Sequence, residues 1–96
     1  MPAYFVMGID WTDAATANEY RERLGPTLEK HGGKTLVAGK PEVLEGKWNP
    51  QRVVVIEFPS MDHLQKWYHS EEYAPLIPLR QRGSKGDLIA VQYSPG

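Results

Sequence analysis

The chain has 96 residues, of which 41% are hydrophobic and 24% charged, a balance typical of a folded globular domain and not of a disordered segment. Its 11 basic and 12 acidic residues nearly cancel, so the charge expected of a nucleic-acid-binding protein is missing, and no apolar run is long enough to cross a membrane. The absence of cysteine excludes disulfides and thiolate chemistry, and we expect one cytoplasmic domain over residues 1–96 with no secretory signal at Met1.

The first part of the chain predicts a strand followed by a long helix. Ala3–Asp10 is typical of a strand, with Phe5, Met7 and Ile9 on one face because strand side chains alternate. Asp13 is placed to cap a helix that runs to about His31, where Gly32 and Gly33 form a stop signal. The apolar stripe of this helix consists of Ala17, Tyr20, Leu24, Leu28 and His31.

The middle of the chain predicts a long hairpin. Lys34–Gly39 has the pattern of a second strand, which we expect to continue past a bend at Gly39-Lys40-Pro41 into Val43–Glu45. Gly46–Pro50 has the composition of a turn. Arg52–Phe58 is dense in β-branched residues and is the clearest strand in the chain.

The last part predicts two shorter helices and a final strand. Ser60 is the expected cap of the second helix, and a further short helical piece begins at Ser70–Tyr73. Gln81–Gly86 has the composition of a polar loop, and Asp87–Tyr93 is the last strand. The order βαββαβ predicts an α+β, ferredoxin-like fold, with a four-stranded antiparallel sheet and the helices on one face.

The strands carry apolar residues on both faces. Val53 and Val55 lie on the face that the helices do not cover, and Ile89 and Val91 also form an apolar series in the last strand. Large exposed apolar surfaces usually mark interfaces, and two-fold homodimers are the commonest oligomers. We therefore expect a homodimer whose sheets pack face to face as a dimeric α/β barrel, with Trp48 in contact with the partner chain.

Five segments together resemble a known family, namely Arg52–Ser60, His31–Lys34, Val43–Trp48, Trp67–Tyr73 and Leu79-Arg80. The family is called domain of unknown function 1330, and the resemblance covers nearly the whole chain. It implies the dimeric α/β-barrel superfamily, in agreement with the predicted architecture. It also implies that no activity is assigned to the family as a whole, and a shared fold does not specify a reaction.

Glu57 stands out because it lies in the most apolar strand, between Ile56 and Phe58. Removing a carboxylate from water is costly unless it is paired or protonated, and it raises the pKa of the group, which suits a general acid or base. Glu57 is therefore a candidate catalytic residue in a cleft between sheet and helices. The alternative is a structural ion pair with Arg52, Arg80 or a residue of the partner chain.

Histidine placement gives a second candidate and no metal site. His31 closes the stripe of the first helix, where a protonated imidazole interacts favourably with the helix dipole, and it is also a candidate catalytic proton shuttle or ligand contact. His63 and His69 are poorly spaced for one helical face, and the chain has no cysteine. We expect no metal and no cofactor.

Arg80 and a group of aromatic residues are the predicted ligand-binding residues. The guanidinium fork of Arg80 suits the carboxylate of a small ligand, or alternatively an acidic side chain such as Asp10, which is included in the predicted site. Aromatic residues at inward helical positions either pack the core or form the wall of a pocket for a planar ligand. They are Tyr20, Trp67, Tyr68 and Tyr73.

Two functions remain open from the sequence. The first is binding of a small organic molecule in a cleft between sheet and helices, with or without cofactor-independent catalysis by Glu57. The second is a non-catalytic dimerising module of a regulatory or stress-accessory kind, in which Glu57, Arg52 and Arg80 close a salt-bridge network. An open pocket favours the first, and a filled core with a paired Glu57 favours the second. Neither function involves nucleic acid or a membrane.

Overall fold

The computed structural model describes residues 1–96 and contains four strands and three helices. In chain order these are β1 (Ala3–Trp11), α1 (Ala14–His31), β2 (Lys34–Gly39), β3 (Arg52–Phe58), α2 (Met61–Tyr68), α3 (Leu76–Arg82) and β4 (Ser84–Gln92). The strands form one antiparallel sheet in the order β2-β3-β1-β4, which confirms the predicted ferredoxin-like fold. None of the three helices is long and apolar enough to span a bilayer.

Strand register assigns each side chain to one of two faces. Met7 of β1 pairs with Val54 of β3 and with Leu88 of β4, and these residues lie on the inner face, which the helices cover. The positions between them lie on the outer face, which no helix covers. The core is therefore a single layer between sheet and helices, and Phe58 and Trp67 are fully buried there.

The helix ends follow the predicted capping residues. The Asp13 carboxylate accepts a hydrogen bond from the amide of Ala15, and the Ser60 hydroxyl accepts one from the amide of His63. α1 ends at Gly32, whose φ of 76° lies in the left-handed region that glycine tolerates. These short-range signals fix both ends of α1 and the start of α2.

The segment after β2 differs from the prediction. Val43–Glu45 does not extend the strand, because β2 ends at Gly39 and the whole segment Lys40–Gln51 has no regular structure. The segment instead folds back onto the outer face, where the indole of Trp48 lies over Gly8. A Cβ at Gly8 would stand 2.4 Å from the Trp48 ring, so the close approach requires glycine.

The predicted loop Gln81–Gly86 is also wrong, because α3 runs to Arg82 and β4 already begins at Ser84. Only Gly83 separates them. Gly86 pairs with Ile9 inside the sheet, and a Cβ at Gly86 would lie 2.4 Å from the carbonyl oxygen of Gly8. The glycine that suggested a loop is therefore required by the close approach of two strands.

We expect Gly86→Ala to destabilise the fold by about 1–3 kcal/mol, because its methyl group must displace the backbone of β1. The matched control is Gly39→Ala, since a Cβ at that strand position meets no atom within 4 Å. Its free energy of unfolding should stay within about 0.5 kcal/mol of the parent value. Urea unfolding of the three proteins measures this difference, and equal midpoints would contradict the inferred crowding.

Candidate functional site

The inner face of the sheet is open at both edges. The helices bury most inner-face residues of β1 and β3, whereas β2 is exposed apart from half-buried Gly39. In β4 only Ser84 and Leu88 are half-buried. Two openings result. We call them the α1 cleft, between α1 and the β2–β3 side of the sheet, and the β4 groove, between β4 and the two short helices.

The α1 cleft has a volume of about 230 Å³ and a mostly apolar lining. Its walls include Met7, Trp11, Tyr20, Leu24, Leu28 and Val54. β2 contributes Thr35 and Ala38, and two cationic side chains, those of Arg21 and Arg52, also border it. No carboxylate and no imidazole lines the α1 cleft. The opening therefore offers aromatic and aliphatic surface with guanidinium donors beside it.

Tyr20 is the predicted ligand contact that lines the α1 cleft. Its hydroxyl lies 2.8 Å from that of Tyr73, and only 2% of Tyr20 is exposed. Burial raises the pKa of both hydroxyls above the usual value of 10.0, so both stay neutral around pH 7. Because its hydroxyl is held by Tyr73, Tyr20 presents an aromatic wall and not a ready proton acceptor.

Trp11 is a wall residue that sequence reasoning missed. The predicted strand ended at Asp10, but β1 includes Trp11. Trp11 continues the inner-face alternation of Met7 and Ile9, so extending that pattern by one step would have found it. Its ring centroid lies 5.5 Å from that of Tyr20, and the two aromatic rings form one side of the α1 cleft.

Trp67 and Tyr73 lie in the core and line neither opening. Both have no exposed surface. The indole nitrogen of Trp67 donates to the Thr27 hydroxyl at 3.0 Å, and that hydroxyl donates to the Leu24 carbonyl at 2.7 Å. These contacts provide hydrogen-bond partners for the buried polar atoms of the core, as is usual for buried polar groups.

Arg80 and Tyr68 lie at the other opening, in the β4 groove. The groove includes a cavity of about 450 Å³ beside Arg80. This cavity is lined by the end of α3, by Tyr68 and by residues of β4. Tyr68 is half-buried, whereas Arg80 is 5% exposed and its side chain forms no hydrogen bond and no ion pair. The residues predicted to form one site are thus divided between two openings.

Glu57 and Asp10 lie on the outer face, so neither enters the expected cleft between sheet and helices. Glu57 follows inner-face Ile56 and accepts a hydrogen bond from the Tyr4 hydroxyl at 3.2 Å. Partial burial raises the pKa of Tyr4, and this hydrogen bond raises it further. Asp10 accepts from the amide of Gln51 at 2.6 Å and does not pair with an arginine. Strand parity, which alternates faces at each residue, is the reason for both positions.

His31 lies beside an acidic side chain at the end of α1. Its Nε2 lies 3.6 Å from a carboxylate oxygen of Glu72, and Lys30 contacts the same carboxylate. The hydrogen bond from Lys30 is the main cause that lowers the pKa of Glu72 to about 2. This cluster joins α1 to the segment before α3, and neither opening includes it.

The salt-bridge network predicted for the dimerising module is not formed within the chain. The ion pairs join Arg23 to Glu19, Lys66 to Asp62, and Lys30 to Glu72. None of them includes Glu57, Arg52 or Arg80. In addition, no group of three or more His, Asp or Glu side chains is close enough together to hold a metal ion.

Comparison with known sequences identifies a family over almost the whole chain. The family described as domain of unknown function (DUF1330) matches residues 2–93. No curated protein is similar to the chain in sequence.

Solved structures share the fold at low sequence identity. A protein of unknown function from Rhodopseudomonas palustris is 19% identical, with a TM-score of 0.79 over 99% of this chain and 84% of that one. SnoaB, a cofactor-independent oxygenase from Streptomyces nogalater, is 11% identical, with a TM-score of 0.71 over 99% and 95%. A dimeric ferredoxin-like protein of unknown function from Bacteroides fragilis is 10% identical, with a TM-score of 0.64 over 96% of each chain. These similarities show the fold alone.

The buried tyrosine pair predicts non-additive mutational effects. Tyr20→Phe and Tyr73→Phe should each cost about 1–3 kcal/mol, because each leaves the other hydroxyl buried without its partner. The double variant should cost less than the sum, since it removes both polar groups. Urea unfolding of the parent, the two single variants and the double variant measures these costs. Strictly additive costs would contradict a direct hydrogen bond between the two hydroxyls.

The same variants have a second readout at high pH. The pKa of each hydroxyl is raised in the folded chain, so the unfolded chain loses these protons first as the pH passes 10.0. Stability that is present below pH 10 should therefore fall above it. The fall should be shallower in the double variant than in the parent.

Proposed function

The chain belongs to the DUF1330 family, and we propose that it binds a small organic molecule in the α1 cleft. The observation that carries the proposal is an apolar opening of about 230 Å³ with two aromatic walls, Trp11 and Tyr20. Apolar cavities of roughly 150 Å³ take up benzene, so this volume suits a molecule of one or two rings. Binding sites of this kind are largely apolar with a few placed polar groups.

The chemistry of the lining favours an aromatic ligand with an oxygen substituent. Trp11 and Tyr20 offer ring faces and edges for stacking, and the guanidinium groups of Arg21 and Arg52 offer donors to an oxygen atom. SnoaB, which has a similar fold, is a cofactor-independent oxygenase, and this supports an organic ligand. An acid–base step by Glu57 is not part of the proposal, because Glu57 lies outside the α1 cleft.

The test fills the α1 cleft and uses 2-naphthol, a neutral two-ring probe. Ala38 lines the cleft from exposed β2, so Ala38→Phe should weaken binding by at least about tenfold. The matched control is Ala15→Phe, which adds the same ring at an exposed position of α1 that lines neither opening. Its affinity should stay within about twofold of the parent value.

Titration monitored by tryptophan fluorescence measures both affinities. If 2-naphthol does not bind the parent protein, or if Ala38→Phe binds it as tightly as the parent, the α1 cleft is not the site.

We propose further that the single domain of residues 1–96 is a homodimer that buries the outer face. Exposed apolar side chains there include Val37, Ile89 and Val91, with Trp48 packed over Gly8 beside them. The molecule is a slab 17 Å thick with faces of 35 by 34 Å, so one face can supply the roughly 800 Å² per partner that stable interfaces bury. The similar protein from Bacteroides fragilis is described as dimeric, which supports this assembly.

The homodimer is tested with Ile89→Asp, which places a charge within the outer face. We expect the parent to have the mass of two chains in light scattering at micromolar concentration, and the variant that of one chain. Burial of an unpaired carboxylate opposes association in the variant. Ala15→Asp adds the same charge at an exposed position of α1 and should remain dimeric.

A parent protein with the mass of one chain would overturn the proposed homodimer. If Ile89→Asp dissociates the dimer but 2-naphthol does not bind, the dimerising module without a ligand is the better description of the function.

A further inference from the structure

Arg80 is a buried cation without a counter-ion. Only 5% of its surface is exposed, and its Nε is completely buried without a hydrogen-bond partner. The guanidinium donates no hydrogen bond to any protein atom, and no carboxylate lies within 4.0 Å of it. Arginine does not lose its proton in proteins, and an unpaired buried charge is strongly unfavourable. The chain itself supplies no counter-ion, so an anion from outside would stabilise this side chain.

The surroundings of Arg80 leave room for such an anion. The cavity beside it has a volume of about 450 Å³ and includes Tyr68, Lys85, Asp87 and Leu88. The charge of Arg80 also acts on the hydroxyls of Tyr20 and Tyr73. Both hydroxyls are neutral, and they are hydrogen-bonded to each other. Neither can serve as the missing counter-ion.

The cavity beside Arg80 adjoins an apolar one. A second cavity of about 240 Å³ shares Tyr68 and Leu88 with it and continues between α2 and β4. Its lining is mostly apolar and adds Phe5, Leu64 and Ala90, with Gln65 and His69 as its two polar side chains. The β4 groove thus has a cationic end and an apolar end, joined by one aromatic and one aliphatic side chain.

We propose that the β4 groove binds a small organic carboxylate, with its anionic group on Arg80 and its apolar body against Tyr68 and Leu88. A guanidinium fork matches the two oxygens of a planar carboxylate. Lys85 and Asp87 also border the cavity, but they pair with the outer-face positions Asp10 and Gly8, so their side chains lie on the outer face. Arg80 is therefore the one charged side chain of this cavity on the inner face, and a single positive charge suits a monoanion better than a phosphate dianion. This site is separate from the α1 cleft and does not rest on ligand binding there.

The test uses benzoate as the probe and Arg80→Met as the variant. Benzoate should raise the melting temperature of the parent above that in sodium chloride of equal ionic strength, because it binds only the folded chain. Arg80→Met should lose this response and bind benzoate at least about tenfold more weakly. Without benzoate it should melt above the parent, since it removes an uncompensated buried charge.

Arg82→Met is the matched control, because Arg82 is exposed on the same helix and lines neither the α1 cleft nor the β4 groove. It should respond to benzoate as the parent does. A second measurement requires no variant: benzoate should shift the amide resonances of Tyr68, Ser84 and Leu88 in the parent protein, whether or not it also shifts those of the α1 cleft.

Three results would each overturn the proposed carboxylate site. They are the absence of any benzoate effect beyond that of chloride, equal affinity in Arg80→Met and the parent, and amide shifts confined to residues outside the β4 groove. Stronger stabilisation by inorganic phosphate than by benzoate would contradict the preference for a monoanion.

Discussion

The helix layer is narrower than the sheet on which it packs, and this mismatch determines where the molecule can bind anything. Helices bury the inner face of β1 and β3, which supply core residues such as Phe5 and Ile56. They leave the edge strands β2 and β4 largely uncovered on that face, and they do not reach the outer face, where the segment Lys40–Gln51 packs over Gly8. The α1 cleft, the β4 groove and the apolar outer face are three consequences of the same geometry.

Local sequence patterns predicted the parts of the fold that depend on local chemistry. The caps at Asp13 and Ser60 and the stop at Gly32 could be predicted because each depends on one side chain or one backbone angle. The course of Lys40–Gln51 could not, because it depends on a contact across the sheet with Gly8, far away in sequence. Gly86 predicted a loop wrongly for the same reason, because it is required by a close approach to Gly8 of the neighbouring strand.

The candidate site shows where chemical plausibility and strand geometry disagreed. Glu57 is a carboxylate in an apolar strand, yet the alternation that places Ile56 inside also places Glu57 outside. The alternation of strand side chains could be read from the sequence, and it predicted the face on which Glu57 lies better than the chemistry of the residue did. Tyr20 and Arg80 are both close to the core, but their separation into different openings depends on helix placement, which no local pattern encodes.

Gly8 has a consequence for engineering the molecule. Its missing side chain is what allows the Trp48 indole to lie directly on the sheet, and Pro50 packs beside it. A methyl group at this position would lift the aromatic ring and loosen the attachment of the long connection between β2 and β3. The absence of a Cβ at position 8 therefore determines the shape of the outer face around Trp48, and redesign of that face should begin at position 8.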